Sequence, residues 1–183
     1  GAGLVTIACP RELAADIHLG WPEIMVLPLG SGENWQLDMM DDQLSELVRF
    51  RSVVTELGMG RTQGSGDFIS RFVKNSPSRV VFDADALYFL ALRPVIIRDI
   101  DKNQTAVFTP HPGELARFFN EQSSEINLDR TGFARKFISD KLPWISWLFP
   151  SFQIGIVANR VSLAFPYTLP LDCTFTDVVF LFL

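Results

Sequence analysis

The string Thr109-Pro-His-Pro-Gly-Glu114 holds the residue types in this chain that are best suited to chemistry. His111 lies between two prolines, so its backbone is held rigidly where a strand is expected to end and a helix to begin. Pro112 suits the first helical position because it lacks an N–H that would go unpaired there. Gly113 lets a ligand approach the backbone, and free helix amides after it favour an anionic or carbonyl-bearing ligand. The string therefore predicts a ligand site, and the alternative is a structural turn in which His111 caps backbone groups.

A second string, Asp83-Ala-Asp85, places two carboxylates at the expected end of another strand. Successive strand side chains point to opposite faces, so both carboxylates reach one side only if a helix begins between them. One interpretation is contact with a ligand or with a magnesium-bound phosphate, because magnesium takes oxygen ligands. The other is helix capping by Asp85 together with hydrogen bonding at the sheet edge. The residues leave both interpretations open.

Alternating strands and helices would position these strings. Short apolar runs predict strands over residues 4–8, 23–28, 52–55, 79–82 and 105–108. Apolar residues at helical spacing predict helices that contain Leu44/Leu47/Val48, Phe68/Ile69/Phe72/Val73 and Leu115/Phe118/Phe119, and further helices that start near Asp83 and span Leu128 to Phe137. This order indicates an α/β fold with a mostly parallel sheet covered on both faces. Ligands in such folds bind at the carboxyl ends of the strands, where both strings fall.

Composition narrows the class of protein. The 183 residues are 48% hydrophobic and 20% charged, which fits one globular domain. The net charge of −5 comes without a basic stripe, so we expect no nucleic-acid partner. Cys9 and Cys173 lie outside any CxxC pattern and are expected to be buried thiols in a reducing cytoplasm. The two histidines, His18 and His111, make a zinc site improbable, and no signal peptide is visible.

The character of the chain changes after about Lys141. Residues 142–159 carry no charge and approach the roughly 20 apolar residues that a membrane helix needs. Two prolines, Pro143 and Pro150, and two amides, Gln153 and Asn159, interrupt the run. We therefore expect no membrane span, and we predict short strands over 153–158, 161–165 and 177–183.

Three strings together resemble the ADP- or ATP-dependent NAD(P)H-hydrate dehydratase family, in their order and their separations. They are Gly1-Ala-Gly-Leu-Val-Thr-Ile-Ala8, Asp83-Ala-Asp-Ala-Leu87 and Thr109-Pro-His-Pro-Gly-Glu-Leu-Ala-Arg117. The resemblance covers residues 1–137. It implies one ribokinase-like domain over 1–183, a three-layer α/β/α sandwich in which residues 138–183 are a diverged or misread tail.

The resemblance also implies an activity, which is the repair of hydrated NADH or NADPH by a lyase that uses ADP or ATP with Mg²⁺. In the family the nucleotide is thought to phosphorylate the ring hydroxyl, and phosphate then leaves by elimination. The substrate-binding residues implied here are His111 and its neighbours Pro112, Gly113, Glu114 and Arg117, together with Gly60. A homo-oligomer and an attached NAD(P)H-hydrate epimerase domain are further implied partners. The alternatives are a ribokinase-like kinase of a small alcohol and a catalytically dead dinucleotide-binding module.

The chain departs from the family pattern at several places. The family turn Gly-Pro-Gly-Leu-Gly reads Glu56-Leu-Gly-Met-Gly60 here, and the family's leading strand and glycine-rich loop are not found before Gly1. No Lys-Gly segment and no Gly-Thr/Ser-Gly-Asp motif follows Phe137, so the catalytic base is unassigned and the domain is expected to be incomplete at both ends. The string Gly64-Ser-Gly-Asp67 spells the missing motif, but it precedes Asp83. We expect a polar loop in which Asp67 caps the next helix, since Asp67 as the base would require a rearranged topology.

Overall fold

The computed structural model describes residues 4–36, 41–55, 58–75, 79–100, 105–141, 153–157, 160–164 and 178–181. Within these ranges the strands are β1 Val5–Pro10, β2 Met25–Leu29, β3 Ser52–Thr55, β4 Arg79–Phe82, β5 Thr105–Phe108, β6 Gln153–Val157, β7 Arg160–Ala164 and β8 Val178–Leu181. The helices are α1 Ala14–Gly20, α2 Asp41–Val48, α3 Gln63–Asn75, α4 Ala84–Leu92, α5 Pro112–Phe119, α6 Ser123–Leu128 and α7 Arg130–Lys141. Two 3₁₀ segments cover Arg11–Leu13 and Pro94–Asp99.

The described strands form one eight-stranded sheet in the order β2-β1-β8-β3-β4-β5-β7-β6. The pairings from β2 through β5 are parallel, whereas β7 is antiparallel to both β5 and β6. The predicted α/β fold with a mostly parallel sheet is thereby confirmed. Each of the eight strands lies where its apolar run predicts it, and the predicted ends at residues 158, 165, 177 and 182–183 lie outside the described residues. Strand β8 lies between β1 and β3, so part of the predicted tail is inside the sheet.

A column of aromatic rings packs the helices against the central strands. Neighbouring ring centroids along it lie 4.4 to 6.5 Å apart, in tilted, stacked and edge-on arrangements that favour aromatic pairs. The column runs through Trp35, Phe68, Phe72, Phe82, Phe108 and Phe137, all of them buried. It therefore joins α3 and α7 to the adjacent strands β4 and β5.

One predicted helix has different bounds. The sequence predicts a continuous helix from Leu128 to Phe137, but α6 ends at Leu128 and α7 begins at Arg130. Asp129 separates them because its Oδ1 accepts a hydrogen bond from the Gly132 amide at 2.8 Å. A side chain that takes the amides at the start of a helix ends the preceding one. Helix α1 was not predicted, since it buries no residue and has no apolar stripe to recognise.

None of the helices in the described part of the chain is long and apolar enough to cross a membrane. Of the uncharged run over residues 142–159, only 153–157 belong to the described residues.

The Cys9 thiol is fully buried at the end of β1, and burial raises its pKa from 9.0 to about 11. The folded state therefore favours the neutral thiol, and this contribution to stability is present below pH 9 and is lost as the pH rises towards 11. We expect the free energy of unfolding of the Cys173→Ser protein to fall over this interval. The measurement is urea denaturation at a series of pH values.

The matched control for that measurement is the Cys9→Ala, Cys173→Ser protein, which lacks the titrating group. Its free energy of unfolding should fall less steeply with pH over the same interval. Equal slopes for the two proteins, or rapid reaction of Cys9 with a disulfide reagent in the folded state at pH 8, would show that the thiol is not buried.

Candidate functional site

The carboxyl ends of β3, β4 and β5 lie side by side and carry the predicted site strings. Hydrogen bonds continue the strand pairing one residue further, from the Asp83 amide to the Thr55 carbonyl at 3.0 Å and from the Thr109 amide to the Phe82 carbonyl at 3.1 Å. Helices α4 and α5 begin at this edge. The structure therefore brings the Asp83 and His111 strings to one edge of the sheet, as the sequence predicts.

His111 is the N-cap of α5 and forms a capping box with Glu114. Its Nδ1 accepts hydrogen bonds from the amides of Gly113 at 3.0 Å and Glu114 at 3.4 Å. In return, the His111 amide donates to Glu114 Oε2 at 2.8 Å, and His111 Nε2 lies 3.1 Å from Glu114 Oε1. The Glu114 side chain is 9% exposed and the His111 side chain 49% exposed. The imidazole is thus folded back over the start of its own helix.

This arrangement decides the tautomer of His111 and corrects one expectation. Because Nδ1 accepts from two amides, the neutral ring carries its proton on Nε2, the ring nitrogen that lies 3.1 Å from Glu114 Oε1. The expectation that the amides of Gly113 and Glu114 are free is wrong, since His111 itself caps them. A Cβ at Gly113 would lie 3.0 Å from Cε1 of the ring, so glycine leaves room for the folded-back imidazole. Ligand binding by these residues stays a prediction.

Asp83 and Asp85 have separate structural partners. Asp83 is the N-cap of α4 and its Oδ1 accepts from the Ala84 amide at 2.9 Å, so the cap is Asp83 and not Asp85, which one of the two open interpretations named. The helix does begin between them, with Ala84 in the left-handed region at φ +45°, a conformation that costs a non-glycine residue about 1 kcal/mol or more. Asp85 pairs with Arg61, whose Nε lies 3.2 Å from Oδ1. Nowhere in the described ranges do three histidine, cysteine or carboxylate side chains gather as metal ligands.

Two residues that the sequence analysis did not single out, Arg61 and Tyr88, join Asp85 and Arg117 near this edge. The Cζ atom of Arg61 lies 4.5 Å from the centroid of the Tyr88 ring, and that of Arg117 lies 5.8 Å from it. In the sequence, only the position of Arg61 directly after Gly60 could have indicated that this arginine lies near the site. Gly58 and Gly60 have φ values of +98° and +67°, which only glycine adopts without strain, and they turn the chain from β3 towards α3.

The segment Gly64-Ser-Gly-Asp67 forms the first turns of α3. Thr62 caps this helix, because its Oγ1 accepts from the Ser65 amide at 3.1 Å, so the expected cap at Asp67 is wrong. The Ser65 hydroxyl donates to the Met59 carbonyl at 2.6 Å. Asp67 accepts from the Gln63 side chain at 3.0 Å and pairs with Arg93 at 3.1 Å. These two hydrogen bonds, with Gln63 first, lower the pKa of the Asp67 carboxyl.

A cleft of about 270 Å³ lies at the opposite edge of the sheet, lined by Leu4, Thr6, Met25, Arg49 and Phe50. These residues lie at or before the amino ends of β1, β2 and β3. Ligands of parallel α/β sheets bind at the carboxyl ends instead, so we give this cleft no part in the site.

A family model described as NAD(P)H-hydrate dehydratase matches residues 1–145, which include every residue at the carboxyl edge named above. The chain belongs to this family. The match runs slightly beyond the residues 1–137 over which the sequence strings show the resemblance.

Relatives with established names agree with the family. The chain is 31% identical over 139 residues to a bifunctional NAD(P)H-hydrate repair enzyme of Moorella thermoacetica, covering 75% of this chain and 26% of that protein. It is 33% identical over 139 residues to the Escherichia coli enzyme of the same name, covering 75% and 24%. An ATP-dependent (S)-NAD(P)H-hydrate dehydratase of Rattus norvegicus is 29% identical over 123 residues, covering 66% and 34%. The chain thus spans about a quarter to a third of the length of these relatives.

Structural contacts involve every part of the segment Gly64-Ser-Gly-Asp67. Each glycine has a packing reason, since a methyl group at Gly64 would overlap the Trp35 carbonyl and one at Gly66 would lie 2.9 Å from the Phe89 ring. Asp67 points to Arg93 beyond the far end of α4, about 12 Å along that helix from Asp85 at 1.5 Å per residue. A carboxylate with a lowered pKa and two partners is also a weak base.

The packing around Gly64 gives a stability prediction. We expect Gly64→Ala to lower the free energy of unfolding by about 2 kcal/mol, because the Trp35 backbone must move to admit the methyl group. Gly20→Ala is the matched control, since a Cβ at the last residue of α1 meets nothing within 4 Å. Its effect should be neutral or slightly stabilising, by up to about 1 kcal/mol.

Urea denaturation of the two variants and the parent protein checks this. Equal stability of Gly64→Ala and the parent protein would mean that the contact with Trp35 is absent in solution, and the packing explanation of this glycine would then be withdrawn.

Proposed function

We propose that this chain carries the nucleotide-dependent dehydration of hydrated NADH and NADPH, a lyase reaction that restores the reduced coenzyme. The observation that carries the proposal is the position of the Pro-His-Pro-Gly-Glu string. It lies within the family match, at the shared carboxyl edge of three parallel strands, where ligands of such sheets bind. The names of the relatives support the dehydratase over a kinase of a small alcohol.

In this proposal His111 orients the hydrated dinucleotide through its Nε2–H, and Glu114 positions the imidazole. The nearly buried Glu114 carboxylate accepts from the His111 amide and so holds the start of α5, and the two amides that donate to Nδ1 fix the ring tautomer. Pro112 holds this turn rigid, Gly113 leaves room for the folded-back imidazole, and Gly60 permits close approach of a ligand to the backbone after β3. A bound carbonyl or anion would compete with Nδ1 for the Gly113 and Glu114 amides, so ligand binding exchanges the cap for the ligand.

The proposed cofactor is ADP or ATP with Mg²⁺, and the nucleotide supplies the phosphoryl group that turns the ring hydroxyl into a leaving group. A relative named ATP-dependent supports the nucleotide. A protein cage for magnesium does not fit the described residues, because Asp83 caps α4 and Asp85 pairs with Arg61. Magnesium commonly reaches such sites through nucleotide phosphates and water with only one or two carboxylates, and we propose that mode here.

A second candidate function is dinucleotide binding without turnover. It is favoured by one sequence observation, namely that residues 138–183 contain no Gly-Thr/Ser-Gly-Asp motif. In the family that motif supplies the base and the anion hole, and without it the charge that develops in phosphoryl transfer lacks an evident stabiliser.

We further propose a cytoplasmic protein, in keeping with the buried thiol of Cys9, and association with an epimerase domain or with further copies of the chain.

His111 provides the test of ligand binding. We expect hydrated NADH at a hundred times its dissociation constant to stabilise the protein by about 2.7 kcal/mol, seen as a rise in melting temperature. His111→Ala should abolish most of this rise, but it also removes the helix cap, at a cost of about 1 kcal/mol. His111→Asn separates the two effects, because asparagine is a strong N-cap without an imidazole. We expect it to retain the melting temperature of the unliganded protein and to lose the response to ligand.

His18→Ala, which removes the other histidine, is the control and should respond like the parent protein. An undiminished response in both His111 variants would remove His111 from the binding site. Recovery of NADH absorbance on addition of ADP or ATP with magnesium separates the two candidate functions, since only the dehydratase turns over. A parent protein that neither responds to hydrated NADH nor turns it over would refute both.

A further inference from the structure

The Tyr88 ring holds two guanidinium groups from different parts of the chain. Arg61 comes from the connection after β3, Tyr88 from α4 after β4, and Arg117 from α5 after β5. Because these strands are neighbours and parallel, α4 and α5 lie side by side, and the three side chains approach one another near the second turn of these helices. The distances from the two Cζ atoms to the ring centroid, 4.5 and 5.8 Å, lie within the range of cation–π attraction.

The cluster of Arg61, Asp85, Tyr88 and Arg117 carries two positive charges and one negative charge. Asp85 pairs with Arg61 at 3.2 Å, and the two side chains are 14% and 53% exposed. Among the described residues no carboxylate lies within ion-pair distance of Arg117, so two cations face one anion. Both guanidinium groups are exposed enough to meet a ligand, and contact with the ring reduces the freedom they would lose on binding.

We propose that Arg61, Tyr88 and Arg117 form a binding site for a phosphoryl group of a nucleotide ligand. Guanidinium forks match phosphate oxygens in geometry and charge, and the ring is a rigid support that keeps the two forks at one place. The choice of a nucleotide rests on the proposed function, because the site adjoins the His111 turn through α5. The phosphoryl group has two sources, the phosphates of the hydrated dinucleotide and those of ADP or ATP.

Asp85 competes with the ligand in this proposal. Its carboxylate takes part of the Arg61 charge, so an incoming phosphate must displace or share that ion pair. Removal of the Asp85 charge should therefore strengthen phosphate binding, whereas removal of either arginine should weaken it. If the cluster only stabilised the fold, the Asp85 and arginine substitutions would not change the affinity for phosphate in opposite directions.

The experiment measures dissociation constants by titration calorimetry, with EDTA present so that magnesium plays no part. The probes are inorganic pyrophosphate, ADP, hydrated NADH and hydrated NADPH. Pyrophosphate and ADP should bind the parent protein and bind Arg61→Gln and Arg117→Gln at least about tenfold more weakly. Asp85→Asn should bind pyrophosphate about threefold to tenfold more tightly, since it frees the Arg61 charge. Tyr88→Phe keeps the ring and should match the parent protein, whereas Tyr88→Leu should bind more weakly.

Arg49→Gln is the matched control. Arg49 also pairs with a carboxylate, Glu46, at 2.8 Å and also lies over an aromatic ring, Phe50, at 5.3 Å, but it is at the opposite edge of the sheet. Its substitution should leave all four dissociation constants unchanged.

The ligand series identifies the source of the phosphate. If the arginine variants lose more affinity for hydrated NADPH than for hydrated NADH, the site binds the 2′-phosphate. If they lose affinity for both equally, the site binds the pyrophosphate of the dinucleotide. A loss for pyrophosphate and ADP alone identifies the nucleotide phosphates. Each of these outcomes supports the site.

Absence of pyrophosphate and ADP binding by the parent protein, or equal binding by the parent and both arginine variants, would overturn the site whatever the fate of the proposed function. Conversely, a parent protein that binds pyrophosphate through these arginines but does not respond to hydrated NADH would retain the site and refute the proposed function.

Discussion

The parallel pairing of β3, β4 and β5 is the constraint on which the carboxyl edge depends. The register Val53↔Val80↔Ala106 continues past the strands through the hydrogen bonds of the Asp83 and Thr109 amides. A buried backbone group left without a partner costs about 1–3 kcal/mol, so these bonds fix where each strand must end. A slip of one residue would also turn every side chain of a strand to the other face of the sheet. The starts of α4 and α5, and with them the positions of Asp83 and His111, follow from this one register.

The aromatic column connects this edge to the core. Phe82 and Phe108 stack with their centroids 5.3 Å apart on β4 and β5, and each is the last residue of its strand. The next residue along the chain is Asp83 in one case and Thr109 in the other, so packing and site meet without an intervening loop. Close-packed interiors transmit small changes in volume. The packing of Phe82 and Phe108 therefore restrains the backbone of Asp83 and Thr109 directly.

The sequence predicted the parts of this structure that local patterns encode. Apolar runs identified the strands, and the rule for ligands of parallel sheets identified the edge that carries His111. The cap of α4 was not readable from the sequence, because Asp83 takes the first amide of the helix only through the turn at Ala84. The position of β8 between β1 and β3 and the approach of Arg61 to Tyr88 join residues far apart in the chain. No local period records such contacts, so they had to come from the fold.

The two halves of the site differ in how their polar groups are satisfied without ligand. His111 and Glu114 bind each other and the first amides of α5, so the turn is stable by itself and a ligand gains only the difference between its own bonds and the cap it replaces. Arg117, by contrast, brings a charge that no carboxylate in the described residues matches, and a phosphate there gains attraction without first breaking an ion pair. Affinity for a phosphate-bearing ligand would accordingly come mainly from the arginine side of the edge. Selectivity for the remainder of such a ligand would come from the histidine side, where a poorly fitting group cannot displace the cap.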